Sequence, residues 1–213
     1  MRASDQALIN DGIDFDPAQH RYEVGGLELP SVTTILKPWS AFGYMGPAML
    51  ARIEEARARG EAVHLATQLH DENDLDEATL ADEIACYLQS WRKFRAEWCF
   101  EPELIEARVA SLVWKYAGTL DRVGTCRPPG ARKQRRLLLD IKSGDEDPSH
   151  GPQTAGYALP LRDCNVIIDM RATVYLSPTG YRVECHPNDA GDRATFLAAI
   201  AFHQWRKRHN LGE

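Results

Sequence analysis

Three short blocks decide how this chain reads: Gly118-Thr119-Leu120-Asp121, then Leu137-Leu138-Leu139-Asp140-Ile141-Lys142-Ser143-Gly144, then Gln153-Thr154-Ala155-Gly156-Tyr157. The apolar run from Leu137 to Ile141 predicts a strand, and strand alternation puts the Asp140 and Lys142 side chains on one face. A carboxylate and an ammonium therefore point the same way. Val109 to Tyr116, with its Val, Trp and Tyr, reads as an earlier strand, after which Gly118 lets the chain turn and bring Asp121 near Asp140. Two carboxylates gathered in this way form a site for a hard cation.

The blocks resemble those of the PD-(D/E)XK nuclease superfamily, in particular its RecB-type and phage-type exonucleases. Four blocks carry the resemblance in the family's order: Gly60-Glu61-Ala62-Val63-His64, Gly118-Thr119-Leu120-Asp121, Asp140-Ile141-Lys142, and Gln153 with Tyr157 four residues later. Leu29-Pro30-Ser31-Val32-Thr33-Thr34-Ile35-Leu36 is similar to the segment preceding the nuclease core in phage and mitochondrial exonucleases of this group. The likeness implies an α/β protein with a restriction-endonuclease-like core, its mixed central sheet flanked by helices on both faces. It also implies Asp121 and Asp140 as metal ligands, with the backbone carbonyl of Ile141 as a further oxygen. Glu106 stands where relatives carry another acid, though Glu103 competes for that role. His64 occupies the family's helical histidine position, while a lone helical histidine is more commonly a surface or packing residue. Lys142 would orient or help deprotonate the attacking water. Gln153 and Tyr157 would contact substrate or brace the lysine, the alternative being a tyrosine packed beneath the sheet.

Composition frames this reading. With 213 residues, 44% hydrophobic and 26% charged, the chain has ordinary globular values and suffices for one domain with a substantial core. The expected layout is an N-terminal hairpin and helical region over about 1–100, a catalytic sheet over about 101–186 and a C-terminal helix over about 188–209. No apolar run is long enough to span a membrane, and Met1 to Asn10 lacks a signal-peptide pattern, so a cytoplasmic protein is expected. The net charge of −6 is compatible with a nucleic-acid partner if the acids cluster around a metal and basic patches lie nearby. Two such patches are Arg132-Lys133-Gln134-Arg135-Arg136 and Arg206-Lys207-Arg208-His209. The first precedes the Asp140 strand, which makes Arg135 and Arg136 candidates for phosphate contact. The second reads first as a solvated face. The five cysteines have no Cys-x-x-Cys spacing, so reduced thiols are expected, with neither a zinc site nor an iron–sulfur cluster.

Along the chain, Gly25-Gly26 marks a hairpin within Arg21 to Leu29, and Ser31 caps a short helix. Trp39, Phe42 and Tyr44 fall in a loop, where they are candidates for base stacking or core packing. A helix from Pro47 to about Arg57 is interrupted at Gly60 and resumes to about His70. Ala78 to Trp98 has helical apolar spacing and reads as a packing helix. Three strand candidates lie between Leu104 and Lys142, and a helix from Gly151 to Leu161 breaks at Pro160. Arg171 to Leu176 and Tyr181 to Cys185 form a late hairpin, and Asn188 caps the last helix.

Phosphodiester cleavage needs a nucleophilic water, neutralised phosphate charge and a stabilised leaving alkoxide, all of which Mg²⁺ held by carboxylates can serve. The expectation is thus a Mg²⁺-dependent deoxyribonuclease, with Mn²⁺ also supporting activity. The resemblance favours an exonuclease on linear DNA in recombination, repair or DNA processing, working with a single-strand annealing or single-strand binding protein. A structure- or sequence-selective endonuclease and a catalytically silent DNA-binding module are the alternatives. No Gly-x-x-x-x-Gly-Lys-Ser/Thr is present, and nothing in the sequence sets the oligomeric state.

Overall fold

The computed structural model describes residues 7–39, 47–187 and 190–211. The chain begins with β1 (Ala7–Ile9), β2 (Asp14–Asp16), β3 (Arg21–Val24) and β4 (Leu27–Leu29), followed by helices α1 (Val32–Leu36), α2 (Pro47–Asp71) and α3 (Asp82–Trp98). It continues through β5 (Glu101–Ser111), β6 (Tyr116–Cys126), β7 (Arg135–Lys142), α4 (His150–Asp163), β8 (Met170–Ser177), β9 (Gly180–His186) and α5 (Ala190–Arg208). Six strands form a mixed sheet in the order β1-β5-β6-β7-β8-β9, and β2-β3-β4 form a separate small sheet. All neighbours in the large sheet are antiparallel except β7 and β8, which run parallel. A parallel pair needs a crossover, and α4 supplies it.

β7 lies inside the sheet, covered on both faces, which explains its unbroken Leu137–Ile141 run. Leu137, Leu139 and Ile141 pack in a cluster with Val63 of α2 and Trp91 and Phe94 of α3. Leu138 points the other way, into a cluster with Val32 and Ile35 of α1, Tyr157 of α4 and Phe196 of α5. The helices therefore cover both faces of the sheet.

Ser31 caps α1 by accepting from Thr34 N at 2.9 Å, and the Gly25-Gly26 turn joins β3 to β4 with both glycines at positive φ, as expected. Several boundaries differ from expectation. Val109–Tyr116 is no strand: it straddles a turn between β5 and β6, where Lys115 takes φ 56°. Gly118 sits inside β6 and makes no turn. A Cβ there would lie 2.8 Å from the Tyr157 ring, so the glycine admits α4 against the sheet. α2 runs continuously through Gly60.

α4 also continues through Pro160. A proline leaves the carbonyl four residues back without its helical donor. Here that carbonyl, Gly156 O, accepts from the Tyr116 hydroxyl at 2.7 Å, so the helix loses little. A Cβ on Gly156 would meet the Phe196 ring at 2.8 Å, which is how α5 comes so close to α4. Finally, the large sheet reaches beyond the expected 101–186, because β1 pairs with β5 through Ala7↔Ser111. Phe42, Tyr44 and Asn188 lie outside the described residues, as does the side chain of Trp39.

Candidate metal centre

The centre lies where the β6–β7 ladder ends. Paired residues run from Cys126↔Arg135 to Arg122↔Leu139, and then a side chain replaces the backbone: Asp121 Oδ2 accepts from Ile141 N at 2.6 Å. A strand residue directs its N–H and C=O to the same edge, so the Ile141 carbonyl faces that side too. The other Asp121 oxygen, Oδ1, lies 3.7 Å from His64 Nδ1 on α2. Glu106 Oε1 is 4.0 Å from the same nitrogen. Donor atoms of His64, Glu106 and Asp121 all lie within 4.8 Å of one another, all half-buried, a spacing that a single cation can span.

Glu106 reaches this position through a distorted backbone. The β5–β6 pairing passes over Glu106 between Ile105↔Arg122 and Ala107↔Leu120 without a change of register, the register shift lying earlier, between Pro102 and Leu104, and Glu106 takes φ 45°. That left-handed conformation is costly for a residue with a Cβ and persists only where neighbours enforce it. Arg122 is the enforcing neighbour. Its guanidinium is wholly buried and donates to Glu106 Oε1 at 2.8 Å, to the Asp121 carbonyl at 2.7 Å and to Asp71 Oδ2 at 2.7 Å. Asp71, at the end of α2, also accepts through Oδ1 from Trp91 Nε1 at 3.0 Å and Arg95 at 2.8 Å. The acids at the centre thus rest on a buried polar network tying β6 to α2 and α3.

Asp140 is 2% exposed. Its Oδ1 accepts from Lys142 Nζ at 2.9 Å and from Gln153 Nε2 at 2.8 Å, while its Oδ2 is buried and has no hydrogen-bond partner. Burial raises the Asp140 pKa, Lys142 opposes that rise, and the Asp121 charge adds to it. In His64 burial acts downward, but the Asp121 and Glu106 carboxylates outweigh it and the pKa is raised. Lys142 behaves likewise: burial lowers its pKa, and Asp140 and Asp121 more than restore it. Burial holds Tyr157 as a neutral phenol, packed on Gly118.

The fold therefore brings His64, Glu106, Asp121, Asp140, Ile141, Lys142, Gln153 and Tyr157 to one region. It separates Glu106 from Glu103, which pairs with Arg136 at 3.0 Å. Arg135 and Arg136 open β7, so at about 3.3 Å per residue their backbones lie roughly 17 and 13 Å from Asp140 and are not brought to the centre. A cleft of about 1380 Å³ opens past the end of β7, lined among others by Arg57, Arg59, Ser143, His150, Tyr175 and Arg182. Arg59 Nε is buried there without a partner. Arg122 was the most legible omission: a charge inside a strand buried on both faces requires an opposite charge nearby. Asp71 carries no such signal, because only the fold brings it 51 positions back to Arg122.

No protein-family model and no curated protein matches the chain. Among the described residues, no helix is long and apolar enough to cross a membrane.

Proposed function

We propose that this protein is a metal-dependent deoxyribonuclease with a restriction-endonuclease-like core, and that it acts on linear DNA as an exonuclease. One observation carries the reading: Asp140 spends one oxygen on Lys142 and Gln153 and leaves the other buried and unpartnered, beside an Asp121–Glu106–His64 cluster. An orphaned buried carboxylate oxygen is expensive unless a cation satisfies it.

The donor set suits Mg²⁺ or Mn²⁺. Asp121, Asp140 and Glu106 offer hard carboxylate oxygens, with the Ile141 carbonyl on the same edge, and His64 is better tolerated by Mn²⁺ than by Mg²⁺. When bound, the ion makes water nucleophilic near neutral pH and neutralises charge on the phosphate. The chain's own groups do the rest. Gln153 fixes the Asp140 rotamer, and Lys142 sets an ammonium beside it to orient water and offset phosphate charge. Arg122 keeps Glu106 directed inward. Arg59 lines the cleft past the end of β7, which also holds Asp145, Glu146 and Asp147, with Arg182 paired to Glu146 at 2.6 Å.

The test compares end-labelled linear DNA with a closed circle, incubated with Mg²⁺, Mn²⁺ or EDTA, for the wild type, Lys142→Ala and Asp140→Asn. Metal-dependent loss of the linear substrate alone, reduced about a hundredfold or more in either variant, is the expected result. Cleaved circles would move the reading to an endonuclease using the same residues. Failure to cleave either substrate with either metal, strand state varied, would leave a silent DNA-binding module.

A further inference from the structure

We propose that the C-terminal half of α5, together with the turn after α1, forms a second, non-catalytic surface that holds single-stranded nucleic acid. The proposal rests on the nuclease reading for its choice of polymer and on separate residues for its site. A groove of about 430 Å³ lies between the two elements, lined by Thr34, Lys37, Pro38, His203, Arg206 and Lys207, with Asn210 and Leu211 at its end. Among the described residues none that lines the groove is acidic, in a chain whose net charge is −6. His203, Arg206 and Lys207 follow helical i, i+3, i+4 spacing and so share one face of α5, with Asn210 in the turn just past its end.

The neighbouring face carries rings. Phe202 and Trp205 are 39% and 43% exposed, and they stack with centroids 6.0 Å apart at 18°. Trp205 lies 5.2 Å from the His209 ring, and the Arg206 guanidinium sits 5.9 Å from the Phe202 centroid, joining the two faces. The core contacts of α5 are made by Phe196, Ala199 and Ile200, which precede these rings in the helix. Arg206, Lys207 and Arg208 would by themselves complement the negative end of the helix dipole. That function explains neither Lys37, which comes from another element, nor exposed aromatics among the cations.

Cations interleaved with exposed rings are what a single strand needs, its phosphates meeting the first and its unstacked bases the second. A duplex keeps its base faces covered, and an acidic peptide would leave the rings idle.

The test is fluorescence anisotropy of a short labelled oligothymidylate in EDTA across a salt series, for the wild type, Arg206→Glu/Lys207→Glu and Phe202→Ala/Trp205→Ala, each checked by thermal melting. Both variants are expected to bind about tenfold more weakly or worse, and the charge-reversed one should flatten the salt slope by roughly 1.4, the value for two phosphates of a single strand. The ring variant should keep the wild-type slope. Unchanged affinity in both folded variants, with DNA cleavage retained, overturns the surface and leaves the nuclease reading standing. Binding to phosphatidylserine vesicles but not to the oligonucleotide also overturns it. A wild type that neither binds nor cleaves defeats both proposals, whereas an Asp140→Asn variant that binds without cleaving supports the surface as independent of the metal centre.

Discussion

Arg122 is the residue on which the candidate centre leans most. It is fully buried, and its two carboxylate partners lie on different elements. Truncation would leave Glu106 without its guanidinium and Asp71 Oδ2 unpaired, with only Oδ1 still held by Trp91 and Arg95, so Arg122→Ala is expected to destabilise by about 3–5 kcal/mol in urea denaturation. Activity should fall further than stability accounts for, because Glu106 would then be released from its left-handed backbone. Gly118 makes a cleaner probe of geometry. Gly118→Ala drives a methyl into the Tyr157 ring, with an expected cost of about 1–3 kcal/mol and displacement of α4. Since α4 carries Gln153, metal-dependent cleavage should drop while the melting temperature falls only modestly. A variant equal to wild type in both measurements would show that the ring yields freely.

At the scale of elements, helix ends offer a test independent of function. α3 closes with Phe100 N donating to Arg95 O at 2.9 Å and Cys99 N to Ala96 O at 3.4 Å, the double bond of a Schellman turn, with Cys99 at φ 45°. A side chain there is strained, so Cys99→Gly should stabilise by about 1 kcal/mol, read as a rise in denaturation midpoint. Elements also show what a sequence does and does not disclose. β7 was legible because a strand covered on both faces must be apolar throughout, and Asp140 and Lys142 stand out against that background. The β5–β6 turn was not, because Val113 and Trp114 look like strand residues and are in fact 50% and 40% exposed. Gly60 and Pro160 usually end helices. α2 and α4 pass through them, in the second case because a hydroxyl from a distant strand replaces the missing donor. Local propensity carries no information about such partners, and the same holds for Asp71 beneath Arg122.

For the whole molecule, histidine burial sets a pH dependence. Burial lowers the pKa of His70, His150 and His186 from the ordinary 6.5. For each, the unfolded chain binds protons more readily than the folded one as pH falls through 6.5, so that contribution to stability is intact above 6.5 and declines below it. His64 has the opposite sign, its raised pKa favouring the folded state at lower pH. The three lowered histidines pull stability down from about pH 7.5 to about pH 5.5, against His64 and the raised Asp140. His186, hydrogen-bonded to Thr173 at 2.9 Å, is the place to test it: His186→Gln should flatten the profile, measured by chemical denaturation at each pH. A wild-type profile flat over this range would mean that His64 and Asp140 offset the other three.

The edge strand β1 pairs Ala7 with Ser111, a separation of 104 positions (111 − 7). At about 5–20 residues per second of synthesis, β1 leaves the ribosome roughly 5–20 s before its partner exists. Throughout that interval the β2–β4 meander and the nascent helices must tolerate a hydrophobic strand with nothing to pair with. The long loop that joins them makes its docking a late, slow step. Newly made chains should therefore pass through a state in which the opposite flank of β5 is open, and it is there, before β1 arrives, that chaperones or neighbouring nascent chains would find purchase.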